Sequence, residues 1–570
     1  MRQATAIPDL TRRLVSGPRV VFVLCLLPFV LAIFRLASLQ LGTTVPRTDG
    51  MVRRTIPARR GTIYDRYGRP LALNATGYSV FVHPHLLSDP QQVANALAQA
   101  LHLDPAQVAR ATRSSEPFVW IKRLIPDDEL ALVKPLAERE RGVGLKPEPK
   151  RIYPYHKMLA PILGFTGVDN QGLAGIELSQ NALLRGSDGE RLCSLDANGT
   201  PIPTSSFIVH DVQHGSDIYL TIDADIQAIC ERELAEAISR YHARGGTVTV
   251  LDPKTGEILA AVTQPSFDPN RFYLEKDQRR FNATIASITY EPGSTVKGIV
   301  VAAALDAGCL SPTERFQCTG SKVVYDYKIS CPHAPPGGHG WLTPRDIIRV
   351  SCNVCAADVG KRLGSARMLR YFRDFGFLGP THVGIYEETG SVPPYRGPVW
   401  VATASYGQGI SVTPLQLAAA YAAIANGGVL LRPRLIAKYT LPGSHRFKHT
   451  QPTVIHRVIS ESVARRVMSY LVDVVNKPGG TGAAARLKQY LVAGKTGTAQ
   501  KAGPRGLASD KYVVSFVGML PADDPKFVIL VTVDEPDPAA AYGGTVAAPA
   551  FRDIAEGIAT LKALPPSALP

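Results

Sequence analysis

The sequence predicts an α+β protein: one membrane anchor helix, a mixed α/β domain, and a larger domain whose central antiparallel sheet is flanked by helices. Three observations carry this. A single charge-free run, VVFVLCLLPFVLAIF from Val20 to Phe34, stands near the N-terminus. Helical and extended patterns then alternate with glycine-rich stretches up to about Gly215. From Ser216 a strand, a helix and a hairpin come first, helical patterns fill the middle, and three extended runs and a helix close the chain. That order is the mark of helices packed on one sheet.

The 570 residues leave room for roughly two to four domains, and 45% hydrophobic content is ample for packed cores. A bilayer core needs ~20 mostly apolar helical residues. Val20 to Leu41 suffices if Arg35 snorkels to the interface. A cleaved signal peptide is the rival, but LASLQLG offers no small-x-small cleavage site, which favours an uncleaved anchor. Arginines stand on both sides: Arg2, Arg12, Arg13 and Arg19 before the run, and Arg47, Arg53, Arg54, Arg59 and Arg60 after it. Loop charge therefore leaves orientation open.

In RRGTIYDRYGRPLALN (Arg59 to Asn74) a turn separates two short extended runs. PQQVANALAQALHL and DDELALVKPLAERE read as amphipathic helices. GFTGVDNQGLAGIE and LLRGSDGERL read as loops and short strands. In the following domain DIYLTID is a strand, and DADIQAICERELAEAISRYHAR is a helix with an Asp cap. GTVTVLDPKTGEILAAV is a hairpin across a DPKTG turn. In EPGSTVKGIVVAAALDAGCL a helix runs from about Ser294 to Ala307, stopped by Gly308. YLVAGKTGTAQ, KYVVSFVGML and KFVILVTVDEP are three successive strands, and VAAPAFRDIAEGIATLKAL is a closing helix. The expected organisation is an N-terminal segment 1–19, an anchor 20–41, a mixed domain 55–215 and the larger domain 216–565.

A net charge of +15 favours an anionic partner, but the basic residues are scattered and form no known nucleic-acid-binding pattern. A membrane surface or an anionic polymer suits the charge, and nucleic acid does not. Among the eight cysteines, Cys318 and Cys331 flank TGSKVVYDYKIS, which a disulfide would close in an oxidising compartment. A metal reading recruits His333, His339 and the Cys352-x-x-Cys355 pair, but that spacing matches no zinc ribbon or finger. Buried free cysteines are the plainer alternative.

The GKT inside AGKTGT invites a phosphate-loop reading. That pattern needs a glycine where Gln489 stands, and a helix directly after the Lys-Thr, where TAQKAGPRGLASD shows no apolar periodicity. The chemistry lies elsewhere. Ser294 and Lys297 stand three apart at a helix start, on one face and within reach of each other. A serine becomes a nucleophile when a neighbouring base takes its proton, and a lysine with a lowered pKa is such a base. An ordinary N-cap serine is the bland reading of the pair. Ser351 and Asn353 head another helical pattern, where a second hydroxyl can relay a proton and an amide can bind a substrate carbonyl. Lys495, Thr496, Gly497 and Thr498 would present a cation and hydroxyls to an anionic group on an edge strand, the glycine admitting a ligand backbone. A second Lys-Thr-Gly, at 254–256, sits in the DPKTG turn and is read as structural.

Ser-x-x-Lys, Ser-x-Asn and Lys-Thr-Gly, in that order, form the set of the penicillin-binding proteins and β-lactamases. The chain resembles a class B penicillin-binding protein, a monofunctional peptidoglycan D,D-transpeptidase. RGTIYDRYGRPLA and GLAGIELSQNALLRGSDG resemble signatures of that family's pedestal (dimerisation-like) domain, LTIDADIQ and VLDPKTGEILAAVTQPSFDPN the entry to its transpeptidase domain. SYGQGISVTPLQLAAAYAAIANGG and YGGTVAAPAF resemble later signatures, more like the cell-division (septal) branch than the elongation branch. Cys352 stands where serine or alanine is more usual; its side chain is expected to point away from the site.

The resemblance implies a reaction. Ser294 would acylate on the D-Ala-D-Ala end of a stem peptide, with Lys297 as base, Ser351 as relay and Asn353 on the acyl-side amide. Lys495, Thr496 and Thr498 would hold the terminal carboxylate, and the N–H groups of Ser294 and Thr498 the oxyanion. It also implies β-lactams as covalent inhibitors, no cofactor and no metal. A SEDS-type glycosyltransferase and divisome membrane proteins would be partners, with the catalytic domain outside the cytoplasmic (inner) membrane. The alternatives are an elongation-type enzyme, a β-lactamase or β-lactam sensor, and a catalytically silent division scaffold.

Overall fold

The computed structural model describes residues 17–41, 51–195, 201–332, 334–503 and 506–567. The chain divides into two compact units, Met1–Pro57 with Asp188–Val212, and Ala58–Ser187 with Gln213–Pro570.

In the first unit the apolar run lies in a 25-residue helix, Gly17–Leu41, with Pro28 inside it. Its described side chains are exposed apart from the half-buried Ala37, with Phe29 at 72% and Phe34 at 75%. Among the described residues no helix is long and apolar enough to cross a membrane, so the anchor rests on the sequence. The arginine-rich segment 1–16 lies outside the described residues. Val52–Ile56, Gly189–Leu195 and Pro201–His210 form a three-stranded antiparallel sheet, with Gly189–Leu195 in the middle.

In the second unit the long strand Pro70–Val82 pairs with Val119–Ile125 and Val143–Ile152. The helices Pro90–Leu101 and Asp127–Arg139 close a core of Val80, Val82, Leu97, Leu101 and Val133. Asp89 starts the first of these helices by accepting from the N–H groups of Gln91 and Gln92, with Pro90 at the position where no N–H is needed. The strand in DIYLTID, Ile218–Leu220, pairs with Ile63–Tyr64 of the RGTIYDR stretch and with Ile436–Thr440. One sheet thus runs across residue 215. Periodicity identified that strand but carries no information on its partner.

The central sheet has five antiparallel strands in the order Ile258–Gln264, Gly245–Leu251, Phe527–Asp534, Gly506–Leu520, Ala493–Gly503. Phe527–Asp534 reads as a continuous apolar run because both of its faces are covered. Val528 and Leu530 face one core, Ile529, Val531 and Val533 the other. On the second face lie the helices Ala224–Arg240, capped by Asp223, and Ala547–Leu561. Phe551 of the latter packs 4.8 Å from Phe516, and truncating it to alanine would cost about 3–5 kcal/mol.

The first face carries Pro414–Ala425, Glu461–Asn476 and Val296–Asp306. Val296 through Ala304 are all buried, as expected of a helix apolar all round. The serine helix is therefore the core of its domain, and the residues at its N-terminus inherit that rigidity.

Candidate active site

Ser294 lies in a single 3₁₀ turn, Gly293–Thr295, that runs directly into the helix Val296–Asp306. Gly293 takes φ +55°, and a Cβ there would stand 2.7 Å from the carbonyl oxygen of Thr498, so no other residue fits this turn against the edge strand. Tyr421 donates to the Thr295 carbonyl at 2.5 Å, which ties the turn to the neighbouring helix. One helical turn on, Lys297 is fully buried, with its Nζ 2.8 Å from Ser294 Oγ.

The same Nζ lies 2.7 Å from the Ser351 carbonyl oxygen, 2.7 Å from Asn353 Oδ1 and 3.1 Å from Ser351 Oγ. Ser351 has φ 57°, an uncommon conformation for a residue with a side chain. That local strain turns both its carbonyl and its hydroxyl toward the lysine. From the other side Lys495 donates to Ser351 Oγ at 2.9 Å. The Ser351 hydroxyl thus stands between two lysine amines.

Both lysines are buried, and among the described residues their hydrogen-bond partners are hydroxyls, carbonyls and an amide, with no carboxylate. Burial pulls Lys297 down to about 8, against the opposing pull of the Cys352 and Cys331 thiols. Lys495 falls well below the usual lysine range, first by burial and then by the charge of Lys297. The carbonyl of Ser351 and the amide oxygen of Asn353 are pure acceptors, so they engage two protons of the Lys297 amine. In the neutral amine the remaining position is a lone pair facing Ser294 Oγ. This is the arrangement of a base ready to take the serine proton.

Lys495 is placed differently from the sequence expectation. It points into this network, bonding Ser351 Oγ and the carbonyl of Thr496, while the wall of the cleft is made by Thr496 and Thr498. Gly497 also has a different reason. A Cβ there would lie 2.3 Å from Ser515 Oγ and 2.8 Å from Thr295 Cγ2, so it admits the serine turn rather than a ligand. AGKTGT is the start of the edge strand Ala493–Gly503, and the earlier Lys254-Thr255-Gly256 is the hairpin turn, with Gly256 at φ +71°.

A cleft of about 170 Å³ brings Ser294, Ser351, Asn353, Thr496 and Thr498 together. It adds residues that the motif reading did not single out: Tyr406, Gln408, Gln500 and Tyr542. The signal for the first two was the paired glycine of Tyr406-Gly407-Gln408-Gly409. Gly293 N–H donates to the Gly407 carbonyl at 3.1 Å, and Gly409 N–H to Glu291 at 2.8 Å, which fastens that loop to the serine turn.

The disulfide considered between Cys318 and Cys331 is not formed: both thiols are free, with sulfurs 3.8 Å apart. Cys352 caps the helix Asn353–Leu363, and its Sγ lies 3.4 Å from that of Cys331. His333 lies outside the described residues.

Comparison with known proteins agrees with this geometry. The family described as the penicillin binding protein transpeptidase domain matches residues 246–556, and the penicillin-binding protein dimerisation domain matches 55–220. The chain is 36% identical to stage V sporulation protein D of Bacillus subtilis, over 87% of this chain and 77% of that protein. It is 32% identical to peptidoglycan D,D-transpeptidase FtsI of Escherichia coli, over 90% of this chain and 85% of that protein. The solved structure of penicillin binding protein 3 from Mycobacterium tuberculosis, complexed with aztreonam, aligns with TM-score 0.69 at 28% identity, covering 90% of this chain and 98% of that one. The matched dimerisation and transpeptidase domains, in that order, make this chain a member of the class B penicillin-binding protein family.

Proposed function

We propose that this penicillin-binding protein is a serine D,D-transpeptidase that cross-links peptidoglycan stem peptides during septal wall synthesis. One observation carries the chemistry: a buried lysine whose amine is held by two pure acceptors and faces Ser294 Oγ at 2.8 Å. Ser294 Oγ attacks the carbonyl carbon of the penultimate D-alanine and gives its proton to Lys297 Nζ. The oxyanion is received by the N–H groups of Ser294 and Thr498, donors that cost no reorganisation as charge develops. Collapse breaks the amide bond and releases D-alanine, whose nitrogen takes a proton through Ser351. The amine of a second stem peptide then attacks the ester, and its surplus proton returns to Ser294 Oγ through the same lysine. Thr496 and Thr498 hold the terminal carboxylate, Lys495 orients the Ser351 hydroxyl beside them, and Asn353 orients the acyl-side amide.

A septal role is supported by the likeness to a peptidoglycan D,D-transpeptidase named FtsI. The substrate of such an enzyme lies outside the cytoplasm. On this reading residues 20–41 anchor the chain in the cytoplasmic membrane with the N-terminus inside, and residues 55–215 and 216–565 are the pedestal and transpeptidase domains. A SEDS-type glycosyltransferase and divisome membrane proteins are its partners.

The test is the intact mass of the detergent-solubilised chain after benzylpenicillin, with Ser294→Ala beside it. A single long-lived adduct on the wild type, missing from the variant, is expected. An adduct that hydrolyses rapidly would indicate a β-lactamase, and folded protein with no adduct a silent scaffold.

A further inference from the structure

Three cysteines and a histidine that the acyl-transfer chemistry does not use meet at the edge of the cleft. Cys318 ends the strand Phe316–Cys318, Cys331 follows the strand Tyr327–Ser330, His339 precedes Gly340–Leu342, and Cys352 caps the helix Asn353–Leu363. Their ligand atoms all lie within 4.8 Å of one another. We infer that Cys318, Cys331, Cys352 and His339 bind one zinc ion, which fixes the Ser351–Asn353 segment against the catalytic lysines.

The distances carry this. Around a tetrahedral zinc with Zn–S near 2.3 Å and Zn–N near 2.0 Å, sulfurs are about 3.8 Å apart, and sulfur and nitrogen about 3.5 Å. Cys318 and Cys331 sulfurs are 3.8 Å apart, Cys331 and Cys352 sulfurs 3.4 Å, and Cys318 Sγ and His339 Nδ1 3.4 Å. Three of the six edges of one coordination shell thus lie close to these lengths, and all six lie within 4.8 Å. A disulfide would use two of the sulfurs and leave the third thiol outside the bond.

Backbone N–H donors are aimed at two of the sulfurs, as thiolates bound to a cation require. Cys331 Sγ accepts from the backbone N–H groups of Asn353 at 3.2 Å and Val354 at 3.4 Å, and Cys352 Sγ accepts from that of Cys355 at 3.3 Å. These donors belong to the first turn of an 11-residue helix, whose N-terminus favours negative charge. Three thiolates and a neutral imidazole select a soft-accepting divalent ion in tetrahedral geometry, which is zinc. Three of the ligands are buried and His339 is partly exposed, which leaves an entry path from the cleft.

The ligands also explain why this part of the fold holds. Among the described residues Phe316–Cys318 pairs only with Gly340–Leu342, and Ser321–Val324 only with Tyr327–Ser330. Val323, Tyr325 and Trp341 on or beside these strands are exposed. Two-stranded ribbons of this size are marginal alone, and a shared ion would lock them to the helix bearing Cys352. The residues on either side of Cys352 are Ser351 and Asn353, both bonded to Lys297. The ion would therefore act through position, not by touching substrate.

The positioning role rests on the transpeptidase reading, whereas the zinc content does not, so the two fail separately. The full chain, purified in detergent without chelator, is assayed for metal by elemental analysis. About one zinc per chain is expected, falling below about a tenth in Cys318→Ser and unchanged in the remote Cys230→Ser. If Cys318→Ser does not fold, cobalt added to chelated wild type reports instead. A thiolate charge-transfer band that disappears on adding zinc supports the site, and its absence overturns it. Chelation should slow acylation by labelled penicillin about ten- to a hundredfold, reversibly with zinc. Folded wild type with no zinc and a mass lower by a pair of hydrogens would show a disulfide instead and overturn the inference. Bound zinc with acylation indifferent to chelation would overturn the positioning role.

Discussion

Two clusters of buried cations in this protein are built on opposite principles. In the dimerisation domain, Arg60 and Arg151 are fully buried around one carboxylate: Glu177 accepts from Arg60 Nε at 2.6 Å and from Arg151 Nε at 2.7 Å. Asn181 and two backbone carbonyls complete the shell of Arg60. In the catalytic domain Lys297 and Lys495 are equally buried, yet they share a serine hydroxyl instead of an acid. A buried cation with a carboxylate partner keeps its charge and serves the fold. A buried amine without one sheds its proton easily, and so becomes a base. The chemistry of the residue follows from what the fold omits around it.

The comparison breaks most severely at Lys297. Lys297→Ala should lower the rate of acylation by labelled penicillin about a thousandfold, the scale of a lost general base, with the circular dichroism spectrum retained. The stability effects should run the other way. Glu177→Gln leaves two arginines buried beside a neutral amide and should cost about 3–5 kcal/mol in denaturant unfolding. Lys297→Met removes a buried amine that has no counter-ion, and should leave stability unchanged or higher. If Glu177→Gln were harmless and Lys297→Met ruinous, the distinction between structural and chemical burial would be lost here.

Acidity sharpens it further. With Lys297 held at about 8, the acylation rate should rise with pH through about 8 and level off above, because only the neutral amine accepts the serine proton. Stability moves with it. The unfolded lysine titrates near 10.5, so between about 8 and 10.5 the unfolded chain binds the extra proton and folding strengthens as pH rises. Below about 8 both states are protonated and the buried charge weighs against the fold in full. Lys495, also held well below the usual lysine range by burial, contributes in the same direction. An acylation rate flat from pH 6 to 10 would remove Lys297 from the role of base.

The sequence made the two ends of this argument legible to different degrees. The strand and helix order of the catalytic domain, the Asp223 cap and the serine helix were readable because periodicity and caps are local. So was the site, since its three motifs keep their order. Partners of strands were not readable: Ile218–Leu220 looks like any short strand, and only the fold shows it beside Ile63–Tyr64. The arginine cluster of the dimerisation domain was invisible for the same reason, its charges being supplied by Arg60, Arg151 and Glu177, far apart in sequence. Nor did spacing show that Cys318, Cys331, His339 and Cys352 converge, because the chain between them folds back twice as ribbons.

The smallest effect is expected from the tripeptide that occurs twice. Lys254-Thr255-Gly256 and Lys495-Thr496-Gly497 are identical as text. Lys495 is buried in the middle of the lysine network, whereas Lys254 has a side chain 52% exposed and pairs with Asp524 at 2.6 Å. That carboxylate also holds Lys526 at 2.6 Å, so it keeps a cation when Lys254 is lost. Exposed pairs of this kind contribute little, and Lys254→Ala should change stability by less than about 0.5 kcal/mol and leave acylation untouched. Lys495→Ala, by contrast, should slow acylation about a hundredfold, since Ser351 loses the partner that orients its hydroxyl. The same three letters would then differ only in their surroundings, a hairpin turn in one case and a sheet edge facing a reactive serine in the other. Equal losses in the two variants would mean that the turn at 254–256 contributes to the site in a way its position does not provide for.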